Sequence, residues 1–311
     1  MSDVLPLKNG IIYGPVNSRR LGRSLGLNLL PPGRKWCTFD CLYCQYGWTP
    51  APEEADPSAG IPSLEDVESA VAAALAGADR TPAYLTFSGN GEPTLHPHFP
   101  EIVEIVRRLR DRLAPQAKVA LLSNAAGIDR PSIRAAMGRI EHPILKLDAG
   151  NARVFASYSR PAPGIAYDTV VRGLRTTPGI MIQALFTAGP KGNLKRDHVE
   201  DWLARIAEIR PVDVQIYTLA RPVPSPDIGP APAAALLDIR DRLRRAGLAA
   251  RVFCGRGRDV RAGGTTDRDR RSAPGRASGE RGPGRFRRPE WRKDRGPGRS
   301  GRPIFRFRSC R

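Results

Sequence analysis

Apolar and polar residues follow one another along the middle of the chain in two regular patterns, one helical and one extended. The segment SLEDVESAVAAALAG begins at Ser63, carries Asp66 three residues later and stops at Gly77, an arrangement that predicts a helix with a capping box at its N-terminus. The segment AYLTFSG (83–89) is a short apolar run before a glycine, and it predicts a strand that ends in a turn.

The same alternation continues to residue 253 and predicts an α/β fold. Apolar residues at positions 102, 105, 106 and 109 have helical spacing. Further strands are predicted at 118–124, 143–149, 180–186, 212–220 and 249–253, and further helices at 131–139, 168–176, 196–209 and 231–247. Helices that alternate with short apolar strands favour a parallel sheet, open or closed into a barrel. About six βα units are present, fewer than the eight of a complete TIM barrel.

The composition changes abruptly after Cys254. Residues 255–311 contain 19 Lys and Arg against 6 Asp and Glu, so this tail accounts for most of the net charge of +19, and it has no apolar periodicity. We therefore predict a core domain at 1–254 and a tail at 255–311 that does not fold. Two interpretations of the tail stay open: an Arg/Gly-rich arm that contacts RNA phosphates, or a reading-frame artefact of a GC-rich gene.

The N-terminus and the apolar runs of the chain bear on its location. No apolar run follows a basic start, and no stretch of about 18 apolar residues occurs. We therefore expect neither a signal peptide nor a membrane span, and a cytoplasmic location in which thiols stay reduced. The 41% hydrophobic and 26% charged residues are typical of a globular protein.

Three of the five cysteines lie in one short segment, KWCTFDCLYCQYG, with the spacing C-x3-C-x2-C. Thiolates at positions 37, 41 and 44 suit an iron–sulfur cluster, zinc or Cu(I). Structural zinc commonly takes four protein ligands, and no histidine lies near this segment. Three thiolates on a [4Fe–4S] cluster would leave one iron open to a small molecule, which catalysis at a cluster requires. Three unrelated structural thiols are the simpler alternative.

This segment resembles the signature of the radical S-adenosylmethionine (SAM) superfamily, including the aromatic Tyr43 before the last cysteine. The resemblance implies a partial (βα)6 TIM-like barrel and a [4Fe–4S] cluster held by Cys37, Cys41 and Cys44. It further implies that SAM chelates the fourth iron, beside Tyr43, and is cleaved by one electron to methionine and a 5′-deoxyadenosyl radical. That radical takes hydrogen from a substrate, and an electron donor such as flavodoxin or ferredoxin is implied as a partner.

One branch of the superfamily is especially similar: the iron–sulfur oxidoreductases related to wyosine-type tRNA base-forming enzymes. GPVNSRRLGRSLGLNLLP before the cysteines and FSGNGEPTLHP after them carry this closer likeness, which extends from about Gly14 to Gly247. The branch suggests a tRNA base as a candidate substrate, and the substrate itself cannot be read from the sequence.

Two strand ends carry candidate SAM contacts. In SGNGEPTL, the glycines allow close backbone approach and Glu92 can accept a bond from an ammonium. The resemblance assigns contacts with SAM's amino group to this turn, at Gly89, Gly91, Glu92 and Pro93; an ordinary glycine turn is the alternative. In LLSNA, Ser123 and Asn124 end a predicted strand and are candidates for ribose or carboxylate contacts, with helix capping as the alternative.

Charged residues near the other strand ends are weaker candidates. Lys146 and Asp148 share one face of a predicted strand, and Asp148 resembles the family's strand-end acid for SAM ribose or substrate; a structural ion pair is equally compatible. The arginines at 19, 20 and 23 suit a phosphate-bearing substrate or simply a solvated face. A rival hypothesis from another class is a non-catalytic zinc- or RNA-binding protein with structural cysteines and the tail as its arm.

Overall fold

The computed structural model describes residues 4–50 and 60–253, and the tail predicted at 255–311 lies outside them. Eight strands form one sheet in the order β1-β2-β3-β4-β5-β6-β8-β10. All neighbours in it are parallel except β1 and β2, which form an antiparallel hairpin. The strands are β1 (Ile12–Ser18), β2 (Gly22–Leu27), β3 (Tyr84–Phe87), β4 (Lys118–Ser123), β5 (His142–Lys146), β6 (Met181–Leu185), β7 (Thr187–Ala188), β8 (Asp213–Tyr217), β9 (Gly229–Pro230) and β10 (Ala250–Phe253); β7 and β9 form a separate small ribbon.

Helices connect successive parallel strands. They are α1 (Leu64–Ala76), α2 (Phe99–Leu113), α3 (Pro131–Met137), α4 (Ala152–Val154), α5 (Tyr167–Thr176), α6 (Arg196–Ile209) and α7 (Ala233–Arg245), with a 3₁₀ turn at Pro93–Leu95 and a π-helical turn at Phe155–Ser159. The capping box predicted for α1 is present, because Ser63 and Asp66 bond each other's backbone N–H groups. No helix in residues 4–50 and 60–253 combines the length and apolar character that crossing a bilayer requires.

The two faces of the sheet have different surroundings. Val119, Leu121 and Leu145 face the helices and belong to the main apolar core. Ala120 and Ile144, which alternate with them, pack instead around Leu21 from the turn between β1 and β2. The helices therefore cover one face, and the sheet curls into a half-barrel whose concave face receives the hairpin turn. This confirms the predicted partial (βα)6 barrel.

The hairpin at the start of the sheet was not predicted as strands. β1 is an edge strand with mostly exposed residues, so it has no apolar alternation for sequence analysis to detect. In β2, Gly26 leaves room for the Tyr13 ring, whose Cζ would lie 2.1 Å from a Cβ at that position. The close packing of Tyr13 on Gly26 is thus a tertiary feature with no local sequence signal.

Candidate functional site

The cysteine loop follows β2, and backbone hydrogen bonds join it to the glycine turn after β3. Trp36 N donates to Asn90 O at 2.8 Å, and Glu92 N donates to Trp36 O at 3.0 Å. Gly91 has φ +146°, and a Cβ there would lie 1.7 Å from Trp36 O. Only glycine fits this approach, so the SGNGEP turn and the cysteine loop form one connected unit.

The three thiols lie on one loop, and the electrostatic effect of Cys44 reaches both Cys37 and Cys41. Burial raises the pKa of Cys37 to about 12, with a smaller contribution from Glu92. Burial also raises the pKa of Cys41, and the neighbouring thiols of Cys37 and Cys44 raise it further. Such thiols stay neutral unless a cation binds them, and a bound metal deprotonates a coordinating thiol.

The donor set fits an iron–sulfur cluster. Three soft sulfur ligands on one loop, near enough to influence one another electrostatically, suit iron in preference to hard cations. In the described part of the chain, no three His, Cys, Asp or Glu side chains already converge as metal ligands would. The assignment therefore rests on donor chemistry and spacing, and the role of the cysteines as cluster ligands stays a prediction.

Both carboxylate oxygens of Glu92 accept hydrogen bonds from the protein, which the sequence did not predict. Its side chain is buried, with 2% of the residue exposed, and its Oε1 accepts hydrogen bonds from Thr94 N at 3.1 Å, Thr94 Oγ1 at 2.7 Å and Ser123 Oγ at 2.8 Å. Its Oε2 accepts a bond from Asn124 N at 2.6 Å. Burial raises the pKa of Glu92, while these hydrogen bonds act in the opposite direction. Glu92 thus ties the turn after β3 to the end of β4, and its direct contact with an ammonium group stays a prediction.

The side chain of Asn124 points toward the cysteine loop. Its Nδ2 donates to Thr38 Oγ1 at 2.9 Å and lies 3.6 Å from Cys37 Sγ, within hydrogen-bond range of sulfur. A donor at a ligand sulfur influences the potential of an iron–sulfur cluster. The predicted contact of Asn124 with ribose or carboxylate stays a prediction, and the structure adds a position next to a predicted cluster ligand.

Asp148 lies two residues beyond β5 and joins the last part of the cysteine loop to the barrel. Its carboxylate accepts hydrogen bonds from Tyr43 Oη and from Leu185 N, the latter at 2.7 Å, and it pairs with Lys146 Nζ at 2.8 Å. Lys146 also lies over the Tyr43 ring, 4.9 Å from its centroid. Burial by itself lowers the pKa of Lys146, but Asp148 and Tyr217 raise it above its ordinary value. The sequence left open a structural ion pair and a ligand contact, and the structure confirms that the pair exists.

The other predicted residues lie in the same region. Gly89 has φ +134° and abuts Asn28, whose Oδ1 would lie 2.5 Å from a Cβ at position 89. Pro93 begins the buried 3₁₀ turn that Glu92 caps. All eleven site residues predicted from the sequence therefore lie on the cysteine loop or at the carboxyl ends of β3, β4 and β5.

Two residues that hold the loop were missed. Asn90 is fully buried, and its side chain bonds the backbone of Lys8 and of Pro31 at distances from 2.7 to 3.0 Å. Lys35 donates from Nζ to Gly47 O at 2.7 Å, and this bond joins the two ends of the cysteine loop. The sequence signal available for Asn90 was its place between two glycines, whereas no local pattern distinguishes Lys35.

A pocket of about 400 Å³ reaches Cys37 on one side of the loop. Its lining includes Arg34, Trp36, Asp40 and Arg160. Arg160 pairs with Asp40 at 3.0 Å and stacks on exposed Trp48, 4.9 Å from the ring centroid. The cysteine loop therefore has a partly cationic approach from solvent.

Comparison with known proteins places this arrangement in context. The family model described as Radical SAM superfamily matches residues 34–192, about half of the chain. The chain is 29% identical over 220 residues to the GTPase Obg of Brachyspira hyodysenteriae and 32% identical over 165 residues to the UPF0026 protein MJ1312 of Methanocaldococcus jannaschii. These alignments cover 69% and 53% of this chain but 31% and 48% of the relatives, so the chain spans less than half the length of either. Streptococcus suis SuiB bound to S-adenosylmethionine shares the fold, with a TM-score of 0.54 at 13% identity over 74% of this chain and 50% of that one.

Proposed function

The chain belongs to the radical SAM superfamily, and we propose that it uses a [4Fe–4S] cluster and SAM to take a hydrogen atom from a substrate. One observation carries the proposal: three cysteines with C-x3-C-x2-C spacing lie on a single loop whose backbone is bonded to the glycine turn after β3. This arrangement joins a three-sulfur ligand set to the turn that the family resemblance assigns to the amino group of SAM.

Cys37, Cys41 and Cys44 would hold three irons of the cluster and leave one for SAM. The chemistry that these cofactors supply when bound is one-electron cleavage of the sulfonium carbon–sulfur bond, which yields methionine and a 5′-deoxyadenosyl radical.

The glycine turn and Glu92 position the polar end of SAM. Gly91 lets Trp36 of the cysteine loop approach the turn and Gly89 lets Asn28 approach it, while Glu92 holds the turn against β4 through Ser123 and Asn124. Pro93 fixes the start of the 3₁₀ turn that follows.

Tyr43 and Asp148 act together on the other side of the loop. The Tyr43 ring would flank the adenine of SAM, while its hydroxyl is anchored on Asp148. Asp148 is in turn fixed by Lys146 and Leu185 N. A tyrosine held in this way keeps the ring beside Cys44 in one orientation, which supports binding of a planar base.

Two partners complete the proposal. A one-electron donor such as flavodoxin or ferredoxin would approach Cys37 from the side where the pocket opens between Arg34 and Arg160. The substrate is proposed to be a tRNA base, on the basis of the likeness to wyosine-type enzymes and of the arginines at 19, 20 and 23.

The test is a SAM-cleavage assay. Anaerobically reconstituted protein incubated with SAM and dithionite is expected to release 5′-deoxyadenosine, measured by chromatography with mass detection. Cys41→Ala should abolish the product, whereas Cys254→Ala, outside the C-x3-C-x2-C segment, should retain it. Wild-type protein that carries the cluster, binds SAM and yet forms no 5′-deoxyadenosine would contradict the proposal.

A further inference from the structure

The concave face of the half-barrel has a row of polar residues near the carboxyl ends of the strands and an apolar cluster farther from them. Lys146 on β5 is in register with Gln183 on β6, which is in register with Gln215 on β8. Tyr217, two residues beyond Gln215, faces the same side. The apolar cluster around Leu21 lies on the same face, farther from the carboxyl ends of the strands. A ligand in the half-barrel would therefore meet its polar groups at the end nearest the cysteine loop.

Two cations lie against one aromatic ring in this layer. The Arg20 guanidinium is 4.6 Å from the centroid of the Tyr217 ring, and the Lys146 ammonium is 4.8 Å from the same centroid. Lys146 also donates to Tyr217 Oη at 2.9 Å. We call Arg20, Lys146 and Tyr217 together the cation–tyrosine wall.

The wall has an excess of positive charge. Asp148 neutralises Lys146, but no carboxylate in residues 4–50 and 60–253 forms an ion pair with Arg20. Lys146 uses two of its three N–H donors, on Asp148 and Tyr217. One ammonium donor and the planar donors of a guanidinium therefore remain for a ligand, and an oxyanion suits both.

The wall lies close to where the proposed chemistry occurs. Lys146 contacts the ring of Tyr43, which immediately precedes Cys44. The turn that carries Arg20 is held in the half-barrel by Leu21, so Arg20 is not simply a surface arginine on a mobile arm. A substrate anchored here would extend toward the cysteine loop.

We propose that the cation–tyrosine wall binds an oxyanion of the substrate, a carboxylate or a phosphate. This inference rests on the proposed function, because it assigns the substrate class for the same site. It makes Arg20 the principal binding residue, Lys146 a second donor, and Tyr217 the surface that orients both cations.

The test uses two small anions visible by ¹⁹F NMR, fluorophosphate and trifluoroacetate, with cluster-loaded protein free of SAM, and SAM is added later to the oxidised protein as a competitor. Each probe is titrated before and after reduction by dithionite. Binding at the wall predicts line broadening in both states and extra paramagnetic broadening after reduction, because the wall is next to the cysteine loop. Stronger binding of one probe identifies phosphate or carboxylate as the preferred anion.

Arg20→Gln is expected to weaken the better probe at least tenfold, and Arg153→Gln, which changes an exposed arginine elsewhere, should leave it unchanged. The double variant Lys146→Met/Asp148→Asn removes the second donor without leaving a buried carboxylate alone, and it should also weaken binding. Equal affinity in wild type and Arg20→Gln would overturn the proposal, as would displacement of the probe by SAM, which would assign the wall to SAM's own carboxylate. Arg20-dependent binding without paramagnetic broadening would place the anion away from the cluster and overturn its role in substrate binding. Arg20-dependent binding in protein that forms no 5′-deoxyadenosine from SAM would support the wall and count against the proposed function, so the two failures are distinguishable.

Discussion

Replacing Asp148 by Asn is expected to destabilise the protein strongly, because it leaves the Lys146 ammonium buried without a counter-charge. The Lys146–Asp148 pair is 2.8 Å long, with 16% and 2% of the side chains exposed. Breaking a buried pair by removing one partner costs about 3–5 kcal/mol. The partial exposure of Lys146 favours the lower end of that range.

The magnitude can be isolated with a double-mutant cycle. Lys146→Met, Asp148→Asn and the double variant would be compared by urea unfolding of the apoprotein, with the double variant less destabilised than the sum of the single ones. In a thermal melt, Asp148→Asn should lower Tm by roughly 6–20 °C, since about 1 kcal/mol corresponds to roughly 2–4 °C at this size.

The exposed pair Arg153–Asp197 is the matched control. Its atoms are 3.4 Å apart with 76% and 65% of the side chains exposed, so its coupling energy should be about 0–1 kcal/mol. A coupling energy for Lys146 and Asp148 no larger than that of the control would refute the assignment of a buried pair that holds Tyr43 in place.

Three further predictions address the loop, the cluster and pH. Gly91→Ala should abolish cluster loading and lower Tm, because its Cβ would meet Trp36 O at 1.7 Å. The control Gly164→Ala is also at positive φ but has nothing within 4 Å, so it should show only the smaller effect of backbone strain. Equal melting temperatures of the two variants would contradict this prediction. Asn124→Leu should make the midpoint potential of the cluster more negative in an EPR-monitored redox titration, because it removes a hydrogen-bond donor 3.6 Å from Cys37 Sγ. The control Asn17→Leu, at an exposed position, should leave the potential unchanged. An unchanged potential in Asn124→Leu would show that Asn124 does not lie beside the cluster. Burial lowers the pKa of His96, so below the ordinary value of 6.5 the unfolded chain binds more protons than the folded one and stability should fall as pH falls. His96→Gln should make that slope shallower in pH-dependent urea titrations, and a wild-type stability independent of pH from about 7 to 5 would count against this prediction.

The sequence predicted the parallel βα part of the fold because each element there has its own local pattern. Helix α6 was predicted with the bounds the structure gives, and α1 was predicted from the spacing of Ser63 and Asp66, which bond each other's backbone N–H groups in the structure. The strands are shorter than predicted, since residues such as Asp148 leave the ladder to bond side chains on the loop.

The connections within the site could not be predicted in the same way. Spacing identified the cysteines, but the bonds that join Glu92 to Asn124, and Asn124 to Cys37, link residues more than 30 positions apart. The position of Arg20 against Tyr217 likewise depends on a hairpin turn entering the half-barrel. Such contacts are set by tertiary packing, which a local pattern does not encode.

The central claim is that three thiols hold an iron–sulfur cluster with an open iron. Metal and sulfide analysis of protein purified without oxygen tests it most directly. The account predicts about four iron and about four acid-labile sulfide per chain, lost together when Cys41 is replaced by Ala. A colourless protein with one zinc per chain and no sulfide would contradict it and would favour a structural cysteine site instead.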